Sequence, residues 1–132
     1  MSEATPTITV ASTSDRFRQT ITTRQFQLTA DEPTELGGTD AGPTPTELVI
    51  AGLGACKAIT LKMYAERKQW PLEAVSADMQ VSKSAGRYSI LVQLRLTGDL
   101  SDEQRTRLLD ISNKCPVHKM LAPGTDIDTV LL

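Results

Sequence analysis

The sequence predicts a single α+β domain spanning residues 1–132. Three observations lead there: an N-terminal stretch that alternates apolar and polar residues, a central apolar run of helical length, and a second pair of alternating segments followed by short helical patterns. The length suits one domain, and there is no internal repeat, low-complexity tract or linker to divide it.

Ile8 and Val10, Phe17 and Ile21, then Phe26, Leu28 and Ala30 are separated by polar residues, many of them threonine. Period-2 patterning with β-branched and aromatic residues reads as short strands that each bury one face, hence an N-terminal β-meander. From Asp31 to Pro45 the sequence DEPTELGGTDAGPTP has no apolar periodicity and forms a loop. Pro45, flanked by Thr44 and Thr46, suits a helix start, because proline tolerates the first turn and threonine caps free amides.

Glu47 to Lys68, ELVIAGLGACKAITLKMYAERK, is long enough for about six helical turns at 3.6 residues each and is nearly all apolar as far as Leu61. Such a helix is expected to be buried on every side. So small a chain offers little to surround it, so a sheet is expected on one flank and a second subunit on another. Gly52 and Gly54 each cost about 1 kcal/mol of helix propensity relative to alanine, which points to close packing around Cys56.

Val75-Ala77-Met79-Val81 and Tyr88-Ile90-Val92-Leu94-Leu96 alternate on either side of Lys83-Ser84-Ala85-Gly86, a β-hairpin pattern. Ser101 followed by Gln104 is a capping box opening a second helix, with Leu108, Leu109, Ile111 and Ser112 along its apolar stripe. Pro116 disfavours helical geometry at Cys115 and can begin another turn running through Val117 and Leu121. Asp126 to Leu132 reads as a final strand.

Composition narrows the function. A net charge of −2 with the 14 basic residues scattered gives no electrostatic footprint for nucleic acid. Met1 to Ala11 lacks a signal-peptide pattern, and no uncharged apolar run approaches the roughly 18 residues that span a bilayer, so a cytoplasmic location away from membranes is expected. The two cysteines, Cys56 and Cys115, are too few for a disulfide scaffold and too far apart for a C-x-x-C motif. Two readings stay open for them: buried packing residues, or thiols that react transiently in a reducing compartment. Cys115 before Pro116 suits a thiol acidified by helix N-terminal amides. Cys56, inside an apolar helix, would need a cation from elsewhere, for which Arg16, Arg18 and Arg24 are candidates, although a strand arginine is ordinarily solvated. Cys115-Pro-Val-His118 resembles half a zinc motif, but the chain has only three Cys and His residues against the usual four ligands, so no metal is expected. As the sole histidine, His118 limits any Cys-His protease reading and suits a surface position.

GPTPTELVIAGLGACKAITLKMYAERKQWPLEAV, Gly42 to Val75, resembles the loop, glutamate and small-residue helix with its cysteine in the OsmC/Ohr family of osmotically inducible and organic hydroperoxide resistance proteins. CPVHKML, Cys115 to Leu121, resembles that family's second-cysteine motif. The resemblance implies an OsmC-like fold assembled as an intertwined homodimer, with the two central helices wrapped by sheets from both subunits. It further implies a thiol peroxidase: Cys56 reduces an organic hydroperoxide, or hydrogen peroxide, becomes a sulfenic acid and is captured by Cys115 as a disulfide. A dithiol reductant, lipoyl-type in some relatives, would regenerate it, with no cofactor. The family's activating arginine and glutamate fall on Arg16 and Glu47. Glu47 stands nine residues before Cys56, one fewer than in the organic hydroperoxide branch, where Thr46 would take the slot, and no arginine lies in the Asp31–Pro45 loop. These departures place the sequence nearer a third, less characterised branch. A rival reading is a binding or redox-sensing dimer whose cysteines do not turn over.

Overall fold

The computed structural model describes residues 7–132, so the first six, part of the stretch read for a leader, lie outside it. The chain groups into two compact units, Met1–Val49 and Ile50–Leu132. The first holds an antiparallel meander of β1 (Thr9–Ser12), β2 (Gln19–Thr23) and β3 (Phe26–Ala30), with β2 central. The expectation that each strand buries a face is corrected for β1, exposed along its whole length in the single chain. A short strand at the edge of a three-stranded sheet has nothing against its faces unless another layer is supplied.

The loop after β3 is organised by Asp31, only 2% exposed. One carboxylate oxygen accepts the Glu32 N–H at 2.7 Å. The other accepts the Thr39 hydroxyl at 2.6 Å and the Thr39 and Ala41 N–H groups. A single anion thus replaces the hydrogen bonds the loop backbone would otherwise leave unmade. Gly38 is required where the loop folds back, because a Cβ there would collide with the Glu32 carbonyl.

Helix α1 (Pro45–Lys68) starts where the proline and threonines predict. Thr44 and Glu47 form a reciprocal cap: the Thr44 N–H donates to Glu47 Oε1 at 2.8 Å, and the Glu47 N–H to Thr44 Oγ1 at 3.1 Å. Burial on every side is corrected. Leu53, Gly54, Lys57, Leu61, Tyr64 and Ala65 form one buried stripe at helical spacing, whereas Val49, Ile59 and Met63 are exposed. By length and mean hydropathy, 1.4 over its best window, α1 could cross a membrane, but a third of that window is buried inside the chain.

In the second unit β4 (Ala74–Ser84) and β5 (Arg87–Thr97) form the predicted hairpin, in a register that sets Val75, Ala77, Met79 and Val81 opposite Leu96, Leu94, Val92 and Ile90. Ala85 and Gly86 turn with φ of 51° and 76°, as a tight hairpin turn requires. Only one of the two helix glycines shows the expected close packing within the chain: a Cβ on Gly54 would stand 3.3 Å from Met79 Sδ, whereas Gly52 meets nothing within 4 Å. Helix α2 (Asp102–Ser112) opens with the Ser101–Gln104 capping box, and Leu108 and Ile111 join Leu61, Tyr64, Ala65, Leu72 and Leu100 in the core. Leu109, expected on the buried stripe, is exposed, because it lies about 100° around the helix from Leu108 and 200° from Ile111. Arg105 ties α2 to the hairpin's end by donating to the Leu96 and Gly98 carbonyls, each at 3.0 Å. Helix α3 (Pro116–Leu121) follows. The final strand expected over Asp126–Leu132 is absent, and Ile127, Val130, Leu131 and Leu132 are exposed. Alternation cannot make a strand without a partner for its backbone, and among the described residues none is provided there.

Candidate active site

The buried stripe of α1 turns Lys57 inward, between Leu53 and Leu61 at i−4 and i+4. Cys56, one residue earlier and about 100° around the helix, falls at the edge of that stripe and is half-buried. Cys115 arrives from the other end of the unit. Before Pro116 it adopts an extended conformation, φ −70° and ψ 148°, and becomes the N-cap of α3, its Sγ accepting the His118 N–H at 3.3 Å. Its exposure is 0%. Both thiols are free, and the two side chains come close enough for Cys56 to act on the Cys115 thiol.

The sequence expectation of an acidified Cys115 is corrected. Burial pushes the Cys115 thiol up, and the neighbouring Cys56 pushes it further, against the lowering effects of the His118 N–H and the Lys57 charge. The cap interaction is present as predicted, but desolvation of the thiolate outweighs it.

Lys57 is 2% exposed, and a buried ammonium requires partners. Its Nζ donates to the Ser112 carbonyl at 2.8 Å and contacts His118 Nδ1 at 3.0 Å. An ammonium has no lone pair, so Nδ1 must accept and the ring proton must sit on Nε2. Burial, and then the Lys57 charge, lower the proton affinity of His118 and keep the ring neutral. His118 is therefore not a plain surface residue. Among the described residues no group of three or more His, Cys, Asp or Glu side chains is placed to hold a metal ion.

Sequence reasoning passed over Lys57, Ser112 and His118 as a set. One signal was available for the first: a lysine at the centre of an apolar stripe, four residues from a leucine on either side. The partners carry no local signal, being 55 and 61 residues away.

The three candidate arginines lie in the first unit. Arg16 is exposed, its guanidinium 4.7 Å from the Phe17 ring centre. Arg18 pairs with Asp15 at 3.0 Å, and Arg24 stacks 4.9 Å from the Phe26 ring centre. Glu47 sits in the first turn of α1 with its carboxylate engaged by the Thr44 N–H.

Comparison with known proteins identifies a family and a fold. The sequence model of a family described as OsmC-like protein matches residues 38–130. The chain's fold is similar to that of an OsmC like protein from Mycoplasma pneumoniae, at 24% identity over 92% of this chain and 89% of that one, TM-score 0.79. It is similar to an organic hydroperoxide resistance protein OsmC from Legionella pneumophila, at 22% identity over 96% and 95%, TM-score 0.68. It is also similar to the organic hydroperoxide resistance protein OhrB of Bacillus subtilis, at 21% identity over 95% and 96%, TM-score 0.63. Among curated proteins no sequence match is found.

Proposed function

The chain belongs to the OsmC-like protein family, and on that premise we propose that it is a homodimeric, cytoplasmic thiol-dependent hydroperoxide reductase acting on organic hydroperoxides and on hydrogen peroxide. The observation that carries this reading is the pair of neighbouring thiols, one half-buried and the other at 0% exposure. Family membership and that pair together support thiol-based redox chemistry.

The difference in burial supports a division of roles. A peroxide can approach only the sulfur that solvent can approach, so Cys56 is the nucleophile. Its thiolate attacks one peroxide oxygen, the O–O bond breaks, and the departing alkoxide takes a proton and leaves as an alcohol. Cys56 is then a sulfenic acid. Cys115 attacks the sulfenic sulfur, the S–O bond breaks, hydroxide leaves as water after gaining a proton, and a Cys56–Cys115 disulfide remains. A small dithiol of lipoyl type restores both thiols by exchange. Arg16 and Glu47 enter this reading as the activating pair that the family resemblance implies, and the apolar side chains left exposed on α1 support a second subunit across that helix. Neither nucleic acid nor a membrane takes part.

The test is dithiol-dependent consumption of cumene hydroperoxide and hydrogen peroxide by the parent, Cys56→Ser and Cys115→Ser. Turnover abolished in the first variant and limited to one cycle in the second is expected. If the parent turns over neither peroxide with several dithiols, the reading fails and a sensing or binding role takes its place.

A further inference from the structure

A buried lysine beside two thiols is unusual enough to require a reason. Lysine is rarely fully buried, and a methionine of similar reach would fill the same space without a desolvation cost. Here the ammonium is held by the Ser112 carbonyl at the end of α2 and the imidazole of α3. No carboxylate among the described residues pairs with it. The groups that meet it are the Ser112 carbonyl and His118, with Cys115 within reach of its field, so its positive charge is uncompensated except by whatever negative charge develops on that sulfur.

We propose that Lys57 is a positioning residue that stabilises the Cys115 thiolate, with the Ser112 carbonyl and neutral His118 fixing where its charge lies. The inference deepens the peroxidase reading and, as regards mechanism, rests on it. Cys115 has no access to solvent that could stabilise its anion, yet it must carry negative charge twice in the cycle. It does so when it loses its proton to attack the Cys56 sulfenic sulfur, and again when a dithiol attacks Cys56, the S–S bond breaks and Cys115 departs as thiolate. The sum of the first step is Cys56–SOH plus Cys115–SH giving disulfide plus water; Lys57 exchanges no electrons. Its field lowers the thiolate's energy in both steps, consistent with the lowering effect it already exerts on Cys115.

The experiment isolates Cys115 from peroxide chemistry. In a Cys56→Ser background Cys115 is the sole thiol, and its ionisation is followed against pH by the ultraviolet absorbance of the thiolate, which needs no reagent to reach the buried sulfur. Lys57→Gln, which removes the charge but keeps a hydrogen-bond donor, is expected to move the midpoint about one pH unit higher, as loss of one nearby opposite charge should. Lys57→Arg, which keeps the charge, should stay closer to the parent. An unchanged midpoint in Lys57→Gln, or an equal shift in both variants, overturns the inference. A measurement without either lysine variant covers failure to fold: the single histidine makes its ¹⁵N signals self-assigning, and Nδ1 should be unprotonated with the proton on Nε2 at neutral pH. A proton on Nδ1 would overturn the inference. Since the titration needs no peroxide, failure of turnover in the parent and failure of this inference are separate results.

Discussion

Asp31 and Lys57 are both 2% exposed and carry opposite charges, and the chain satisfies them in opposite ways. Asp31 takes its hydrogen bonds from Glu32, Thr39 and Ala41, none more than ten residues distant, and these bonds give the loop its shape. Every partner is a backbone amide or hydroxyl that does not titrate. Lys57 takes its partners from helices formed by a different part of the chain, and one of them, His118, is itself titratable, its proton affinity lowered by burial and by Lys57. The first charge replaces backbone hydrogen bonds in a segment too irregular to make its own. The second is held by a carbonyl and a neutral imidazole, and part of its field reaches Cys115. A buried charge saturated by its own loop reads as structure; one suspended between distant elements beside reactive groups reads as chemistry.

That contrast can be broken by substitution. The largest expected effect is from Lys57→Met, which leaves the Ser112 carbonyl and His118 Nδ1 without their donor and should destabilise the fold by about 2 kcal/mol, measured by denaturant unfolding. If it is neutral, the site relaxes around the loss and the suspended-charge description is wrong. Asp31→Ala should instead leave the second unit's protection intact while the Thr39 and Ala41 amides exchange at least tenfold faster by hydrogen–deuterium exchange. Exchange that accelerates equally in α2 would erase the distinction between a local and a distant charge.

Acid sharpens the same comparison. The Thr39 hydroxyl, aided by the surrounding amides, holds the Asp31 carboxyl below the usual aspartate value despite its burial. Its folded form therefore binds a proton less readily than the unfolded chain does, and its contribution, complete above the unfolded value near 3.8, is lost as pH falls through the lower folded value. His118 is also depressed, but it gains charge on protonation. Between its lowered folded value and about 6.5 the unfolded chain binds the extra proton, so stability falls as pH drops below 6.5. Thermal melts across pH should show the neutral-side slope flattened by His118→Gln and the acid-side slope flattened by Asp31→Asn. Interchange of those two outcomes would contradict the assigned environments. The smallest effect belongs to a site remote from both charges: Ala85→Asn relieves a left-handed backbone, φ 51°, and should stabilise the hairpin by about 1 kcal/mol in the same unfolding assay, with no change in either pH slope.

What the sequence by itself determined is local. The meander, the long helix with its start at Pro45, the hairpin, the Ser101–Gln104 cap and the break at Cys115-Pro116 are all encoded within a few residues, because side-chain period, caps and proline sterics act over that range. The two cysteines and their flanking motifs were legible as a family resemblance, which the matched family bears out. Tertiary structure alone decided that Cys56 and Cys115 come together, that burial outweighs the helix cap at Cys115, and that Lys57 is the cation in contact with His118. It also decided that Asp126–Leu132, though patterned as a strand, pairs with nothing among the described residues. Periodicity specifies which face of an element turns inward. It cannot specify which distant side chain that face will meet, because that depends on how α1, α2 and α3 pack, and a lysine's burial depends on partners that packing alone brings to it.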